Sequence, residues 1–176
     1  GGAGDTNDSW VYEVTDEDGG IDTGTATIYV GPVNEFPTLD AITDPANVDD
    51  DAAEQTVSLT GITAGTGESQ TLRVTAVSDN TDVLADPTVT YTSANTTGSL
   101  KFTPVSDQSG TATITVTVED GGLDGNLSTA GDNATFSRTF DVTVNAVNDA
   151  PTLNALSNVS IAEDVSEQTV NLAEIT

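Results

Sequence analysis

The sequence predicts an all-β protein built from a two-sheet sandwich that is used in tandem. Apolar residues alternate with threonines along short runs, as in TATITVTV at 111–118, and clusters of Gly, Pro, Asn and Asp separate these runs. Alternation with a period of two is typical of half-buried strands. Two segments also recur: VNEFPTL at 33–39 returns as VNDAPTL at 147–153, and EQTVSLTGIT at 54–63 returns as EQTVNLAEIT at 167–176. Recurrence at roughly 110 residues indicates one folding unit that has been copied.

The recurrences also predict where the domains begin and end. A third one links VTDEDGG at 14–20 to VTVEDGG at 116–122. Alignment of the three pairs makes residues 1–32 the C-terminal strands of an upstream repeat and residues 33–146 a complete repeat. Residues 147–176 are then the N-terminal strands of a downstream repeat. Two strands alone are marginally stable at best, so we expect the chain to be a window on a longer array.

Seven strands are predicted in the central repeat, each with one apolar face. Leu72, Val74 and Ala76 share such a face, and no stretch shows a helical period. In chain order the strands cover residues 38–42, 55–62, 71–78, 88–92, 99–103, 111–119 and 135–147. Seven short strands with regular turn signals in one repeat are typical of an immunoglobulin-like sandwich. Residues 121–134 form the long connection between the last two strands. We interpret this connection as a hairpin with an optional surface insertion.

The first part of the chain carries two more strands of the same kind. Residues 10–15 and 25–30 alternate in the same way and flank the acidic turn DEDGG. They match the last two strands of the central repeat, whereas residues 151–176 match its first two. We therefore expect a hairpin at the beginning of the chain.

The charge of the chain restricts its partners. Only 3 residues are basic and 29 are acidic, which gives a net charge of −26. Such a polyanion is repelled by nucleic acids and by anionic membranes. No apolar stretch approaches the roughly 20 residues of a membrane helix, so direct membrane insertion is not expected either. Metal cations are the expected counterions, and a divalent ion that gathers several carboxylates would favour folding.

The composition also indicates that the chain is not an enzyme. The chain has neither cysteine nor histidine, which excludes thiolate and imidazole metal sites and the Ser-His-Asp and Cys-His arrangements. A carboxylate pair could hydrolyse a glycoside, but that reaction needs a cleft, usually lined with aromatic residues. The few aromatic residues here lie mostly in strand patterns. We therefore expect no enzymatic activity.

Two short motifs carry a family resemblance. VNDAP at 147–151 resembles the inter-domain linker of cadherins and of cadherin-like repeats in very large bacterial surface proteins, and VEDGG at 118–122 resembles the acidic turn that ends a late strand in those domains. The wider pattern resembles the immunoglobulin-like tandem repeats of bacterial adhesins over essentially the whole chain. The resemblance implies a secreted or cell-surface location and Ca²⁺ bound at the junctions between repeats.

The resemblance also implies ligands at two junctions, and Ca²⁺ chemistry suits them because this ion prefers carboxylate and carbonyl oxygens. For the downstream junction they are Asp50, Asp51, Glu54, Asp107, Asn148 and Asp149. For the upstream junction they are Asn34, Glu35, Glu119 and Asp120. The linkers depart from the cadherin pattern, because Ala146 and Pro32 stand where the family has an Asp, so fewer ions are expected at each junction.

Each acidic motif also has a simpler interpretation. Asp149 and Asp120 could be ordinary turn-forming residues, and the acidic run before the second strand could be solvated charge. The turn with Asp16, Asp18 and Asp22 could bind Ca²⁺ between two strands. It is not an EF-hand loop, because Ile21 and Thr27 replace the required Gly and Glu and no helices flank it.

Three functions follow from these observations. The first is a structural spacer repeat of a secreted adhesin or extracellular fibre, made rigid by Ca²⁺ between neighbouring repeats of the same protein. The second is a module that binds a carbohydrate or protein of the host or matrix through the 121–134 loop, since loops at a sandwich end often carry recognition. The third is a filament subunit that joins other copies through its terminal strands.

Overall fold

The computed structural model describes residues 6–173 and Ile175, and all regular secondary structure in that part of the chain is β. The predicted all-β class is confirmed. The strands are β1 (Thr6–Thr15), β2 (Ile21–Val30), β3 (Val48–Asp49), β4 (Gln55–Leu59), β5 (Leu72–Ser78), β6 (Thr88–Thr90), β7 (Gly98–Phe102), β8 (Gly110–Asp120) and β9 (Thr135–Asn145). The chain divides into two compact units, Gly1–Ala146 and Val147–Thr176.

Two sheets form the sandwich of the first unit. One sheet has the order β3-β9-β8-β5 and the other has the order β4-β7-β6. Strand β8 lies between β9 and β5 and is antiparallel to both, whereas the short β3 runs parallel to β9. This arrangement is consistent with the predicted immunoglobulin-like sandwich.

The core follows directly from the alternation in the sequence. Ala112, Ile114, Val116 and Val118 of β8 are completely buried, while the threonines between them face outwards. Across the sandwich they share one hydrophobic core with residues such as Leu100 of β7. Burial of each Val or Ile side chain stabilises the fold by about 1.5–3 kcal/mol, so the β8 face is a principal source of stability.

The first predicted strand, 38–42, is wrong. Thr38 forms a bridge to Thr63 and Asp40 N donates to Thr60 O at 3.0 Å, but the segment forms no strand, and the next ladder is at β3, in the other sheet. Pro37 and Pro45 flank the segment, and neither has a backbone N–H to donate to a ladder. The chain therefore changes from one sheet to the other between the two prolines instead of forming one continuous strand.

Other strands are shorter than predicted at one end. Strand β4 ends at Leu59 rather than at residue 62, because Gly61 has a φ of +67°. That left-handed backbone conformation suits glycine and interrupts an extended strand. Strand β9 ends at Asn145, and β6 ends at Thr90.

The terminal segments lack a covered face. Strands β1 and β2 pair only with each other, from Thr6 opposite Val30 to Thr15 opposite Ile21, which confirms the predicted hairpin. Trp10 and Tyr12 are about half exposed. In the second unit the described residues form no strand, although two were expected there, since a strand forms no ladder without a partner.

The sandwich has two ends that are used below. At the Asp120 end β8 finishes and β5 begins, and at the Gly110 end β8 begins and β9 finishes. Eleven residues of β8 separate them, which corresponds to about 36 Å of extended chain. Across the described part of the chain, nothing forms a helix that is long and apolar enough to span a membrane.

Candidate cation site at the Asp120 end

The period of β8 places a carboxylate in the core. Asp120 occupies the next inward position after Ala112, Ile114, Val116 and Val118, and it is 0% exposed. A buried carboxylate is costly unless hydrogen bonds or a counter-charge compensate it. The Asp120 carboxylate therefore needs hydrogen-bond donors or a counter-charge inside the protein.

One oxygen of Asp120 is well satisfied and the other is not. Oδ1 accepts hydrogen bonds from Gly122 N at 2.9 Å, Ala134 N at 2.9 Å and Asn34 Nδ2 at 3.1 Å. Oδ2 is buried and has no hydrogen-bond partner among the described residues. The contact with Gly122 is that of a turn-forming Asp, but the buried second oxygen is not explained by a turn.

Asn34 attaches the linker to the sandwich. Its Nδ2 donates to Asp120 Oδ1 and, at 2.9 Å, to the backbone oxygen of Asp132, and its Oδ1 accepts from Gln70 Nε2 at 2.9 Å. Next to it, Glu35 N donates to Glu68 Oε2 at 3.1 Å, and the Glu35 side chain is exposed. Of the two linker residues predicted as ligands, Asn34 contacts the end of β8, where it forms a hydrogen-bonded bridge, and Glu35 contacts Glu68 instead.

Glu119 is engaged on both oxygens. Arg73 forms an ion pair with Oε2, with Nε at 3.1 Å, and Asn133 Nδ2 donates to Oε1 at 3.2 Å. The carboxylate therefore fixes the orientation of the Asn133 amide.

Two residues at this end were not predicted. Gln70 Oε1 and Asn133 Oδ1 are buried and, like Asp120 Oδ2, have no hydrogen-bond partner in the part of the chain that the structure describes. They were missed because neutral amides do not stand out in a charge pattern. The sequence did offer one indication of these two residues. The predicted strands put the residues just before 71–78 and just before 135–147 at the same end of the sandwich as Asp120.

The 121–134 loop is ordered by its own polar groups. Gly122 has a φ of +62°, Asp132 Oδ2 accepts from Leu123 N at 2.8 Å, and Asp124 Oδ1 accepts from Asn126 N at 2.8 Å. Beside the loop lies a groove of about 310 Å³. Its lining is Pro32, Ser69, Gln70, Thr71, Leu123, Asp124 and Gly125.

The downstream candidates of the first unit lie at the opposite end, the Gly110 end. Asp50 is buried and its N donates to Asn145 O at 3.0 Å, while Asp51 is exposed. Glu54 forms an ion pair with Lys101 at 2.6 Å. Asp107, in the loop before β8, has a φ of +62°, a conformation that Asp tolerates better than most residues.

The remaining candidates are exposed. In the second unit, Asn148 Nδ2 donates to the backbone oxygen of Asp149 at 3.1 Å. In the β1–β2 turn, Asp16 Oδ1 accepts from Asp18 N at 3.0 Å and Gly20 N at 2.6 Å, and Asp22 Oδ1 accepts from Thr23 N at 2.9 Å. Asp16 therefore has the hydrogen bonds of a turn-forming residue.

The donor set at the Asp120 end fits Ca²⁺. Within residues 6–173 and Ile175, no three side chains of the His, Cys, Asp and Glu types are grouped so that they could hold a metal. A site at this end must therefore combine carboxylate with amide oxygens, and Ca²⁺ accepts both. The three buried oxygens without partners are all acceptors, which a cation would satisfy and a further carbonyl would not.

Comparisons with known proteins find limited similarity to this chain. No protein-family model matches the chain, and no curated protein matches it. Among solved structures, domains 4 and 5 of the S-layer protein SbsC are 18% identical with a TM-score of 0.41, covering 70% of this chain and 62% of that one. Domains 1–6 of the surface layer protein SbsC are 17% identical with a TM-score of 0.42, covering 84% of this chain and 21% of that one. The chain thus spans less than two thirds of either structure.

Proposed function

We propose that the chain is a spacer segment of a secreted or cell-surface protein, in which sandwich repeats follow one another end to end. The observation that carries this proposal is the path of the chain through the sandwich. It enters at the Asp120 end, where Asn34 is bound, and β9 finishes at the opposite end, beside β3. Entry and exit at opposite ends suit a linear array, whereas a hairpin-like path would turn the chain back.

We further propose that Ca²⁺ binds where the linker meets the sandwich. Asp120 would provide the charged oxygen, and the ion would compensate a carboxylate that is buried within a chain of net charge −26. By bridging Asp120 and its surroundings, it would reinforce the attachment of Asn34 and restrict motion between linker and sandwich. Removal of Ca²⁺ would leave Asp120 Oδ2 buried without a partner and the linker less firmly held.

Thermal unfolding with and without calcium tests this proposal. A ligand that binds only the folded state stabilises it by about 2.7 kcal/mol when its free concentration is 100 times Kd, so millimolar Ca²⁺ should raise Tm by several degrees over a chelator. Asp120→Asn should abolish the rise. Asp82→Asn is the matched control, since Asp82 is exposed beyond the far end of β5 and the change removes the same charge. An unchanged Tm of the unsubstituted chain would contradict the calcium proposal.

A second candidate function is self-association through the terminal segments. The observation that favours it is the exposure of large apolar side chains on the β1–β2 hairpin and in the second unit, among them Trp10, Tyr29, Leu153 and Ile161. Sedimentation velocity over a wide concentration range tests it. Concentration-dependent oligomers that disappear in Trp10→Ser would support it, and a monomer at all concentrations would exclude it.

A further inference from the structure

We propose that Gln70 Oε1 and Asn133 Oδ1 are ligands of the same cation as Asp120 Oδ2, so that the site contains two amide oxygens for each buried carboxylate. This inference rests on the proposed function and specifies the ligands of its calcium site. None of the predicted acidic ligands besides Asp120 is required for it.

The first argument is the chemical kind of the unpaired atoms. The buried side-chain atoms without a hydrogen-bond partner, among the described residues, are Gln70 Oε1, Asp120 Oδ2 and Asn133 Oδ1. All three are oxygens, and no side-chain nitrogen is among them. A cation site leaves acceptors without hydrogen-bond partners, and all three of these atoms are acceptors.

The second argument is that one network holds the three residues together. Asn34 accepts from Gln70 Nε2 at 2.9 Å and donates to Asp120 Oδ1 at 3.1 Å. The residue after Asn133, Ala134, donates its N to the same Asp120 oxygen at 2.9 Å. Gln70 is therefore linked to Asp120 through Asn34, and Asn133 directly precedes a residue bound to Asp120, at the end of the sandwich where β5 and β9 start and β8 ends.

The third argument is that each amide is oriented by a partner on its nitrogen. The Gln70 nitrogen is engaged by Asn34 Oδ1, and the Asn133 nitrogen is engaged by Glu119, which Arg73 holds in turn. Fixing the nitrogen fixes the oxygen, in the way that outer-shell partners orient metal ligands. Glu119, predicted as a ligand, thus acts as a positioning residue.

The ligand chemistry predicts the preferred ion. Ca²⁺ takes six to eight oxygens in a flexible geometry and accepts amide oxygens readily, while Mg²⁺ requires a compact octahedron and retains its waters. Gln70, on a segment before β5, and Asn133, in the long loop before β9, belong to connections rather than strands. Such a site should select Ca²⁺, with an affinity limited by its single buried carboxylate.

Calorimetric titration of the whole chain with CaCl₂ tests the ligand assignment. Asn133→Asp replaces a neutral ligand oxygen with a charged one, so it should tighten Ca²⁺ binding severalfold. It should also lower Tm in chelator, because it places a carboxylate against Glu119 and loses a donor. Gln70→Met removes a ligand oxygen and should weaken binding by more than about tenfold, because changes to the outer-shell partners of metal ligands already cost about 10–100-fold. Glu119→Gln should weaken it less. Asn158→Asp is the control for the added negative charge, because Asn158 is an exposed residue of the second unit.

The possible results separate this inference from the proposed function. If Asp120→Asn abolishes binding but Asn133→Asp and Gln70→Met bind like the unsubstituted chain, the amide ligands are wrong and the calcium junction stands. If the unsubstituted chain binds no Ca²⁺, both are wrong. A purely structural role of Asn133 would lower Tm equally with and without Ca²⁺, which would also overturn the assignment. Circular dichroism in chelator checks that each variant folds. If Gln70→Met does not fold, Ca²⁺ binding by Asn133→Asp alone decides whether the amide ligands are correct.

Discussion

Two regions of this chain carry nearly the same sequence in different surroundings. In the first unit, EQTVSLTGIT places Leu59 at 0% and Ile62 at 1% exposure. In the second unit, EQTVNLAEIT places Leu172 at 55% and Ile175 at 63% exposure. The difference lies in what covers them: β7 pairs with β4, and β8 and β9 close the core above it, whereas the second unit has no strand in its described residues. The motif marks residues that can be buried, and neighbouring strands determine whether they are.

Hydrogen exchange should show the largest contrast, between β8 and β1. These strands correspond through VTVEDGG and VTDEDGG, but β8 is paired on both sides and β1 on one. Amides of Ala112–Val118 should exchange only by global unfolding, at a cost of about 5–15 kcal/mol for a stable domain. Amides of Asn7–Glu13 should exchange by local opening at far lower cost. Equal protection of the two strands would mean that the hairpin is covered in solution.

The second contrast concerns Leu59 and Leu172. Leu59→Ala should lower the free energy of unfolding by about 2–5 kcal/mol, because it leaves a cavity in the core. Leu172→Ala should change it by no more than about 0.5 kcal/mol, as for an exposed site. Urea unfolding should be followed by circular dichroism, because the single Trp, Trp10, lies in β1 and does not report on the sandwich. A large effect of Leu172→Ala would show that the second unit is packed.

The third contrast concerns Asp120 and Asp18, which the VEDGG and DEDGG motifs align. In chelator, Asp120→Ala should cost about 1–3 kcal/mol, since it leaves the N–H groups of Gly122 and Ala134 and the Asn34 amide without their acceptor. Asp18→Ala, at an exposed turn, should be near neutral. If the Asp120 variant were more stable in chelator, relief of the buried charge would outweigh the lost hydrogen bonds.

The smallest contrast concerns Glu54 and its repeat counterpart Glu167. Glu54 pairs with Lys101 on the surface, with both side chains about half exposed. Glu54→Gln should therefore cost about 0.2–1 kcal/mol, and less at high salt. Glu167→Gln, on an exposed residue of the second unit, should have no measurable effect on urea unfolding. A salt-independent cost at Glu54 would point to packing rather than charge.

The sequence predicted the fold best where one face of a strand is buried along its whole length. Strand β8 shows this, because each inward position from Ala112 to Val118 contributes to the core and the period cannot slip without exposing all of them. The first predicted strand failed because the chain changes from one sheet to the other between Pro37 and Pro45, and a change of sheet is a tertiary feature that a short pattern does not encode.

The candidate site was predictable only where a recurring motif marked its residues. Asp120 and Asn34 were chosen from acidic and linker motifs, and the structure brings their side chains into contact. The amides of Gln70 and Asn133 carry no charge and lie outside the recurring acidic and linker motifs, so only the fold could reveal that their oxygens are buried. The ion pair between Arg73 and Glu119 depends on the register of β5 and β8, which sequence patterns leave open.

The parallel pairing of β3 with β9 has a mechanical consequence. Both strands run towards the Gly110 end, and Val48 lies opposite Val144 and Asp49 opposite Asn145. If the chain is pulled from its two ends, β3 is drawn towards the Asp120 end and β9 away from it. The hydrogen bonds between them, which lie across the direction of pulling, are then sheared together rather than opened one by one. A tensile load along the chain would thus meet a cooperative point of resistance, formed by a strand of only two residues.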